Sequence, residues 1–490
     1  MKTDKLKTIN AEYDRYCKVI DQAIKAGKLE RALAALSACG ELLYESNQSY
    51  KDDRLESYME MLSELTADER FSGIKGKEKT ILFYDGFGTD TRGLALVYLK
   101  ALIGLDYKII YVSPLHSKDG QPVIDNLLAG TDTIKEYVDL RHRYVKQQTG
   151  LQEIILKHEP SVAFYYSLPN DTAGLLCFMQ LEGIVKRFFI NLTDHAFWLG
   201  TGAADHYIDF RGYGKSISVH HRNIDMEKLI GLPFYPYIDK ETEFKGFDFD
   251  TEGKKILFSG GALYKTIDEN STYYRLIKRL LDENNDLLFL YAGCGMADEL
   301  DELLKDYRGR AYKIDERKDL YQVMKNITIY INTYPIIGGL MTQYAVAAGK
   351  IPLILKFDDE SEGILIAQED RKIEYYSEDD LAEDVHKLLT DDEYLRKREK
   401  VLENSLITEI EFEAQLGKAI ENGHTDHNFA VREYNDLRLK ETYIDRFDMN
   451  EYRNNVAIKR NSCLFDLLCG SYIKKAFSKI LKLPTPCSLV

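Results

Sequence analysis

The sequence predicts an α/β protein built from two doubly wound parallel-sheet domains, with an N-terminal helical appendage and a C-terminal helical tail. Two observations predict this fold class: short apolar runs alternate with helical periodicity in two separate stretches of the chain, and a polar, acidic segment divides those stretches. Such alternation is typical of parallel sheets with helices on both faces. With 490 residues, the chain also exceeds what one hydrophobic core usually organises.

Changes in composition set the predicted domain boundaries. Residues 1–70 carry helical apolar stripes, no strand signal and no internal repeat, so we expect a small helical appendage for docking or oligomerisation. A charged linker at 75–79 and an acidic stretch at 241–253 delimit the two alternations of strands and helices. The predicted regions are 1–75 (helical), 76–243 (first sheet domain), 244–422 (second sheet domain) and 423–490 (tail).

Each sheet domain has five predicted strands separated by helices. In the first domain we predict strands at 80–84, 108–113, 161–166, 186–191 and 205–210, with helices at 93–104, 122–130, 147–157 and 170–181. In the second we predict strands at 255–259, 287–291, 311–314, 327–331 and 351–355, with helices at 271–283, 297–306, 317–325 and 340–348. Helices at 378–389 and 393–422 are expected to close the second domain.

The composition excludes several classes of protein. A net charge of −15 and a pI near 5.3 argue against a nucleic-acid binder, which needs clustered lysine and arginine. The 7 cysteines are scattered without a Cys-x-x-Cys pair, so we expect reduced thiols. The N-terminus has no apolar signal core, and no stretch is long and apolar enough to span a membrane. These features predict a cytoplasmic protein.

The end of the tail has a basic amphipathic pattern in an otherwise acidic chain. Between 463 and 482 an apolar stripe runs beside several lysines. A helix of this kind can lie on an anionic membrane surface, where each basic residue contributes about 1 kcal/mol, or it can pack on the protein's own body. Both interpretations stay open, so the protein is expected either free in the cytoplasm or peripheral at the inner face of the membrane.

Three glycine-rich loops follow predicted strands of the second domain. Ligands of doubly wound sheets bind beyond the carboxyl ends of the strands, where glycines let a phosphate approach backbone N–H groups. Each loop alone is compatible with an ordinary helix entry. Together, and with a lysine that can neutralise charge, they predict a diphosphate site. Neither a Walker loop nor a Gly-x-Gly-x-x-Gly fingerprint is present. The residues concerned are Gly260, Gly261, Lys265, Gly293, Gly295, Gly338 and Gly339.

These loops resemble those of the GT-B glycosyltransferases, which pair two Rossmann-like domains and bind a nucleotide sugar mainly through the second. The resemblance covers residues 78–420 and rests on Ser-Gly-Gly-x-x-x-Lys at 259–265, Tyr-Ala-Gly-x-Gly at 291–295, and Tyr-Pro-x-x-Gly-Gly at 334–339. In style it is nearest to the O-GlcNAc transferases and the bacterial cytoplasmic protein glucosyltransferases, which also carry a helical region ahead of the catalytic pair. The resemblance implies that Tyr334, Leu340 and Thr342 also contact the donor.

The sequence departs from the family pattern at Gln343. Many retaining members have two glutamates seven residues apart, and the second one grips the ribose, whereas this chain has a glutamine there. A glutamine can still hydrogen-bond a ribose hydroxyl. The departure favours an inverting reaction or an unusual site. Residues 316–319 begin the predicted helix at 317–325, before the strand at 327–331, and are expected near the nucleotide's base and ribose.

The loop after the fourth predicted strand of the first domain contains Asp194, His195 and Trp198, the only tryptophan. Glycosyl transfer to a hydroxyl needs a proton acceptor, and histidine titrates near neutral pH. We predict His195 as the base, Asp194 as a second base or as the group that orients the histidine, and Trp198 as a platform for a sugar. The alternative is a histidine satisfied by a backbone carbonyl beside a buried tryptophan.

Other polar residues of the first domain also have a structural explanation. Asp90 and Arg92 follow the first strand and face the acceptor in this fold, or else cap the next helix. Asp209 and Arg211 are expected to form a structural ion pair. The adjacent histidines at 220–221 point to opposite faces of an extended segment, so they cannot share a metal ion. No other cluster has metal-ligand spacing, and we expect neither a metal nor another cofactor.

The sequence and the resemblance together predict a metal-independent glycosyltransferase, a hexosyl- or N-acetylhexosaminyl-transferase of polysaccharide or glycoprotein biosynthesis. The donor is expected to be a nucleotide diphosphate sugar, and the resemblance implies a UDP sugar, as in most such enzymes. The acceptor is a glycan, a lipid-linked molecule or a protein, bound in a cleft between the two sheet domains. Two alternatives stay open: a nucleotide-sugar 2-epimerase, and a non-catalytic glycosyltransferase-like subunit that chaperones a partner. Either a homo- or a hetero-oligomer is compatible with the sequence.

Overall fold

The computed structural model describes residues 2–89, 93–114, 121–139, 143–238, 242–315 and 317–456. These residues form two compact units. The first unit contains the chain up to Leu232, then Glu409–Glu433, then the described residues from Tyr443 onward, and the second contains Pro233–Thr408 and Tyr434–Thr442. Residues 409–422, which the sequence assigned to the second domain, thus lie in the first unit.

The first unit contains a parallel β-sheet of seven described strands. They are β1 (Lys77–Asp85), β2 (Lys108–Pro114), β3 (Ile134–Val138), β4 (Pro160–Tyr166), β5 (Lys186–Ile190), β6 (His206–Asp209) and β7 (Leu229–Gly231). The order in the sheet is β3-β2-β1-β4-β5-β6-β7, and every neighbouring pair is parallel. The direction of winding reverses between β1 and β4, which is where doubly wound sheets bind ligands.

Helices connect these strands and precede them. The N-terminal helices are α1 (Lys2–Lys25), α2 (Leu29–Ser46) and α3 (Asp53–Leu65). The connecting helices are α4 (Leu94–Gly104), α5 (Pro122–Leu128), α6 (Tyr144–His158), α7 (Thr172–Gln180) and α8 (Gly212–His220). The N-terminal helices share one hydrophobic core with the sheet, in which Leu36 and Leu62 are buried with Leu82. The predicted N-terminal helical region is therefore present, and it packs on the sheet of the first unit.

The second unit has a parallel sheet of six described strands. They are β8 (Lys255–Gly260), β9 (Leu287–Ala292), β10 (Ala311–Ile314), β11 (Ile329–Ile331), β12 (Ile351–Leu355) and β13 (Glu374–Tyr375), in the order β10-β9-β8-β11-β12-β13. The helices are α9 (Thr272–Glu283), α10 (Asp298–Asp306), α11 (Leu320–Lys325), α12 (Gly339–Ala347), α13 (Glu378–Thr390) and α14 (Asp392–Val401). Here the winding reverses between β8 and β11.

The remaining described helices lie late in the chain. They are α15 (Glu409–Asn422), which belongs to the first unit, and α16 (Leu437–Arg446). The sequence predicted a single helix at 393–422, but α14 ends at Val401 and Asn404 adopts a left-handed backbone conformation (φ 62°), so the chain turns before α15 begins. The amphipathic segment at 463–482 lies outside the described residues.

Two expectations about composition are settled within the described part of the chain. None of its helices combines the length and the apolar character needed to cross a bilayer. Cys17, Cys39 and Cys177 are buried free thiols.

Candidate active site

The three glycine-rich loops of the second unit converge where its sheet reverses winding. A Cβ on Gly293 would overlap the carbonyl oxygen of Gly261, and a Cβ on Gly260 would lie 2.9 Å from Cε of Met341 in α12. The loop after β8 also meets the loop after β11, because the Ile336 N–H donates to the Lys265 carbonyl oxygen at 3.4 Å. Glycine is therefore required by close packing of the loops, and the structure brings them together at one edge of the sheet.

Asn332, at the end of β11, organises the turn that leads into α12. Its Oδ1 accepts hydrogen bonds from the N–H groups of Thr333 (2.9 Å) and Gly338 (2.8 Å). Its Nδ2 donates to Oγ1 of Thr342 at 2.8 Å, inside the helix. The asparagine is 2% exposed, so one buried amide fixes both sides of the glycine turn. The sequence did not single out this role; an asparagine ending a strand six residues before Gly-Gly was the only signal.

The N-terminus of α12 presents unpaired backbone donors. Gly338 caps the helix without a side-chain hydrogen bond, and the first N–H bonded to a carbonyl oxygen is that of Thr342, to Gly338 at 3.0 Å. Within the described residues, the N–H groups of Gly339, Leu340 and Met341 have no hydrogen-bond partner. Three such donors at the positive end of a helix are suited to binding an anion.

Lys265 is the cation nearest to these loops along the chain. Its Cδ and Cγ2 of Thr333 both lie 4.0 Å from the position that a Cβ on Gly261 would take. The side chain is half-buried, and Nζ forms no hydrogen bond or ion pair with any other residue that the structure describes. An ammonium group without a partner beside unpaired N–H groups gives this edge of the sheet a positive potential.

The side chain of Gln343 is buried and bonded to the backbone of two other segments. Its Nε2 donates to the carbonyl oxygens of Phe234 and Ile364, each at 3.2 Å, and the side chain is 2% exposed. Only Oε1 has no partner, and it is buried. This geometry argues against the predicted contact with a ribose hydroxyl, because both amide N–H groups already hold two loops together.

Two other predicted donor contacts in the second unit are also tied to protein groups. Tyr334 is 8% exposed, packs edge-on against Phe357 (5.3 Å between ring centroids), and accepts a hydrogen bond from Arg438 Nη2 at 3.4 Å. In the 316–319 segment, Asp319 accepts bonds from Arg317 Nε (2.8 Å) and from the Lys245 N–H (2.9 Å). Asp319 thus anchors the linker before β8, and Glu316 lies outside the described residues.

In the first unit, Asp194 and Arg211 form a buried ion pair between the loop after β5 and the start of α8. Arg211 Nε donates to Oδ2 at 2.6 Å and Nη2 donates to Oδ1 at 2.8 Å. Burial opposes ionisation of this carboxyl, but the Arg211 guanidinium outweighs it and, with His195, lowers the pKa of Asp194 to about 2. A carboxylate this weakly basic, with a side chain 1% exposed, cannot serve as the predicted base.

His195 is the group of this loop that reaches the surface. Its Nδ1 lies 3.4 Å from Oδ1 of Asp194, and its side chain is 28% exposed. The backbone carbonyl of His195 accepts a hydrogen bond from Nδ2 of Asn47 at 3.0 Å. The Asp194 carboxylate therefore lies beside Nδ1, where the sequence suggested a group that orients the histidine, and Nε2 is the nitrogen that can face another molecule.

Trp198 belongs to the core. The indole is 2% exposed, stacks on Phe189 (4.6 Å between centroids), and contacts the guanidinium of Arg222 at 4.7 Å. Arg222 Nη2 also donates to the carbonyl oxygens of Asp194 (3.0 Å) and Ala196 (2.7 Å). This burial corrects the prediction of a sugar-stacking platform. Arg222, which the sequence did not single out, holds the backbone of the His195 loop.

Two further acidic residues of the first unit, Asp209 and Asp85, are bonded to protein groups. Asp209 was predicted to pair with Arg211, but it instead accepts a hydrogen bond from Asn191 Nδ2 at 2.7 Å, and burial raises its pKa to about 7. Asp85, at the end of β1, accepts the N–H groups of the next loop and the hydroxyl of Tyr111. The predicted acceptor-side residues Asp90 and Arg92 lie outside the described part of the chain.

Comparisons with known proteins support the fold. No protein-family model matches the chain, and no curated protein matches it. Among solved structures, a mutant of the Thermobaculum terrenum O-GlcNAc transferase matches over 89% of this chain and 84% of its own length, at 13% identity and a TM-score of 0.52. A Listeria monocytogenes protein whose proposed activity is that of a UDP-N-acetylglucosamine 2-epimerase matches over 71% of this chain and 97% of its own length, at 10% identity and a TM-score of 0.52. Anabaena HepE, solved with UDP-glucose, matches over 70% and 99%, at 10% identity and a TM-score of 0.50.

These similarities show the fold and no more, because all identities are low. The two parallel sheets and the structural matches confirm the predicted GT-B fold of two Rossmann-like domains. The same fold occurs in both transferases and epimerases. The activity of this chain must therefore be argued from its own residues.

Proposed function

We propose that this chain is a glycosyltransferase that moves a hexosyl or N-acetylhexosaminyl group from a nucleotide diphosphate sugar, best a UDP sugar, to a hydroxyl of a glycan, lipid-linked or protein acceptor. The observation that carries the proposal is the uncapped N-terminus of α12 beside the unpaired Lys265, at the point where the sheet of the second unit reverses winding. Dinucleotides and nucleotide sugars bind at such points in doubly wound sheets.

The donor's diphosphate is the group that fits this edge of the sheet. Three backbone N–H groups and one ammonium group offer hydrogen bonds and positive charge to its oxygens. The same groups stabilise the negative charge that develops on the leaving diphosphate as the glycosidic bond breaks. The solved Anabaena protein of similar fold, which contains UDP-glucose, supports a nucleotide sugar as the ligand.

The proposed reaction uses His195 as the general base. The acceptor oxygen attacks the anomeric carbon, the bond from that carbon to the diphosphate oxygen breaks, and its electron pair leaves with the diphosphate. The proton of the acceptor hydroxyl passes to Nε2 of His195, whose Nδ1 faces the ionised Asp194. In this scheme the charge of the diphosphate is met by α12 and Lys265 rather than by a metal ion.

A transfer assay with the variant His195→Gln tests the base. Purified protein is incubated with UDP sugars and a panel of hydroxyl acceptors, and released UDP and glycosylated product are measured. General-base catalysis contributes about 10²- to 10⁴-fold, so we expect kcat of the variant to fall within that range while UDP binds as before. The control is His220→Gln, on α8 and 3.7 Å from Glu433, which is expected to keep full activity. An unchanged rate in His195→Gln would remove His195 from the mechanism.

A 2-epimerase is the second candidate, favoured by the Listeria monocytogenes structure that this chain matches over 97% of that protein's length. Epimerisation needs no acceptor, so incubation with UDP-N-acetylglucosamine alone separates the two functions. An isomerised sugar in the absence of acceptor would support the epimerase. We favour transfer because the match to the transferase extends over 89% of this chain, whereas the epimerase covers 71%.

A further inference from the structure

The N-terminal helices contact the loop that carries His195. Asn47 follows α2 in a left-handed conformation (φ 44°, ψ 46°), and its N–H closes the helix on the Leu43 carbonyl oxygen at 2.8 Å. Its Nδ2 then donates to the His195 carbonyl oxygen at 3.0 Å. Asn47 is fully buried, and this bond joins two segments that are 148 residues apart in the chain.

A second pair of bonds holds the far end of the same loop. Glu56, in α3, accepts the N–H of Gly200 on Oε1 (2.9 Å) and the N–H of Thr201 on Oε2 (3.0 Å). Between these points α2 packs closely on the loop, since a Cβ on Gly40 would lie 2.9 Å from Cδ1 of Leu199. The helices thus contact the loop at four residues, His195, Leu199, Gly200 and Thr201.

His195 is consequently fixed through two different groups. Asp194, held by Arg211, orients the imidazole from the sheet side, and Asn47 fixes the peptide that follows the His195 Cα. Rotation of that peptide would change the backbone conformation at His195 and, with it, the direction of the imidazole. A displacement of about 1 Å at a reacting group can reduce a rate by about 10²-fold.

We propose that Asn47, at the C-terminal end of α2, is a positioning residue that holds His195 in its catalytic orientation. This inference rests on the proposed role of His195 as the base. Asn47 and His195 both lie in the first unit, whereas the three glycine loops and Lys265 lie in the second. Replacing Asn47 should therefore affect the base and leave donor binding unchanged.

The variant Asn47→Gly tests the inference with little disturbance of the backbone. Glycine adopts the left-handed conformation readily, so the turn after α2 is kept while the amide donor is lost. Asn47→Asp keeps the shape but replaces the donor by an acceptor, and it should act in the same direction. The matched control is Glu30→Ala. Glu30 also joins the helical region to the sheet domain, by accepting the N–H groups of Tyr144 and Val145, but it does not contact the His195 loop.

Three quantities are measured on each full-length variant: kcat for transfer, the Kd of UDP, and the NMR titration of the His195 ring signal, identified by its loss in His195→Gln. We expect Asn47→Gly to lower kcat at least tenfold, to change the Kd of UDP less than twofold, and to shift the His195 signal or its titration midpoint. Glu30→Ala should leave kcat within threefold and the His195 signal in place, even if its melting temperature falls.

The outcomes separate the inference from the proposed function. An active enzyme in which Asn47→Gly keeps its kcat and its His195 signal overturns the inference, as does a Glu30→Ala variant that loses as much kcat as Asn47→Gly. A wild-type protein that neither binds UDP nor transfers a sugar overturns the proposed function and, with it, the catalytic part of the inference. In that case the NMR signal still decides whether Asn47 positions His195.

Discussion

Arg211 holds Asp194 through two hydrogen bonds of 2.6 and 2.8 Å, and both side chains are almost completely buried. The pair joins the loop after β5 to the N-terminus of α8 and places a fixed negative charge beside His195. The imidazole therefore has a preferred orientation before any ligand binds. Such preorganisation is what general-base catalysis requires of a histidine.

Breaking this pair should strongly destabilise the protein. Arg211→Met leaves the Asp194 carboxylate buried without its partner, and the loss of one member of a buried ion pair typically reduces the free energy of unfolding by about 3–5 kcal/mol. The measurement is urea unfolding followed by circular dichroism. Arg70→Met is the control, because Arg70 is 57% exposed and ion pairs on the surface contribute little to stability. A loss below about 1 kcal/mol in Arg211→Met would show that Asp194 has another means of compensation.

The buried carboxyl of Asp209 should make stability fall as the pH rises towards neutrality. Burial raises its pKa in the folded protein to about 7, above the value near 3.9 in an unfolded chain. The folded state then binds the proton more tightly, so this residue's contribution is fully present below about pH 4 and is lost as the pH rises through about 7. Asp209→Asn does not titrate, and its unfolding free energy should decrease less than that of the wild type over this range. Parallel pH curves for the two proteins would contradict the assignment.

The close approach of two glycine loops makes Gly293 sensitive to the smallest side chain. In Gly293→Ala the new Cβ overlaps the carbonyl oxygen of Gly261, so the backbone must move. Overpacking of this kind costs about 1–3 kcal/mol. We expect the unfolding free energy to fall by about that amount and UDP binding to weaken. Gly150→Ala, in α6 and with no atom within 4 Å of the added Cβ, should be neutral or slightly stabilising. Equal UDP affinity in the wild type and in Gly293→Ala would show that these loops do not bind the donor.

The variant Gln343→Glu tests whether the glutamine, which replaces the glutamate of many retaining glycosyltransferases, contacts the donor. Gln343→Glu restores the acid that many of them carry, but here it removes both N–H donors and places an acceptor beside the carbonyl oxygens of Phe234 and Ile364. Unsatisfied buried groups cost about 1–3 kcal/mol, and more when charged. The variant should therefore be less stable and should bind UDP no better, as measured by thermal unfolding and calorimetry. Tighter UDP binding at unchanged stability would restore Gln343 as a ribose ligand.

The regular elements were predictable because their periodicities are local. The predicted strands at 311–314 and 351–355 coincide with β10 and β12, and the helix at 378–389 differs from α13 by one residue. Strand β3 was missed because it lies at an edge of the sheet, and its five residues are mostly half-exposed, so no buried apolar run marks it.

Partnerships between distant side chains were not predictable in the same way. Proximity in sequence suggested that Arg211 would pair with Asp209, whereas the fold brings Asp194 to it. The hydrogen bond from Asn47 to His195 joins residues that are 148 positions apart in the sequence, and no local sequence pattern predicts it. The three glycine loops were correctly predicted to lie together, because the carboxyl ends of parallel strands meet at one edge of a sheet. That prediction needs only the topology and no knowledge of individual side-chain contacts.

We propose that the edge formed by α12 and Lys265 binds a nucleotide diphosphate, and a calorimetric titration of UDP measures this binding. Wild-type protein should bind UDP, and Lys265→Ala should raise the Kd by about 10- to 150-fold, equivalent to the 1.5–3 kcal/mol of a charge-assisted hydrogen bond. Lys254→Ala, which loses only a surface pair with Asp286, should bind like the wild type. The same Kd for UDP in the wild type and in Lys265→Ala, or no binding by the wild type, would show that this edge is not a donor site.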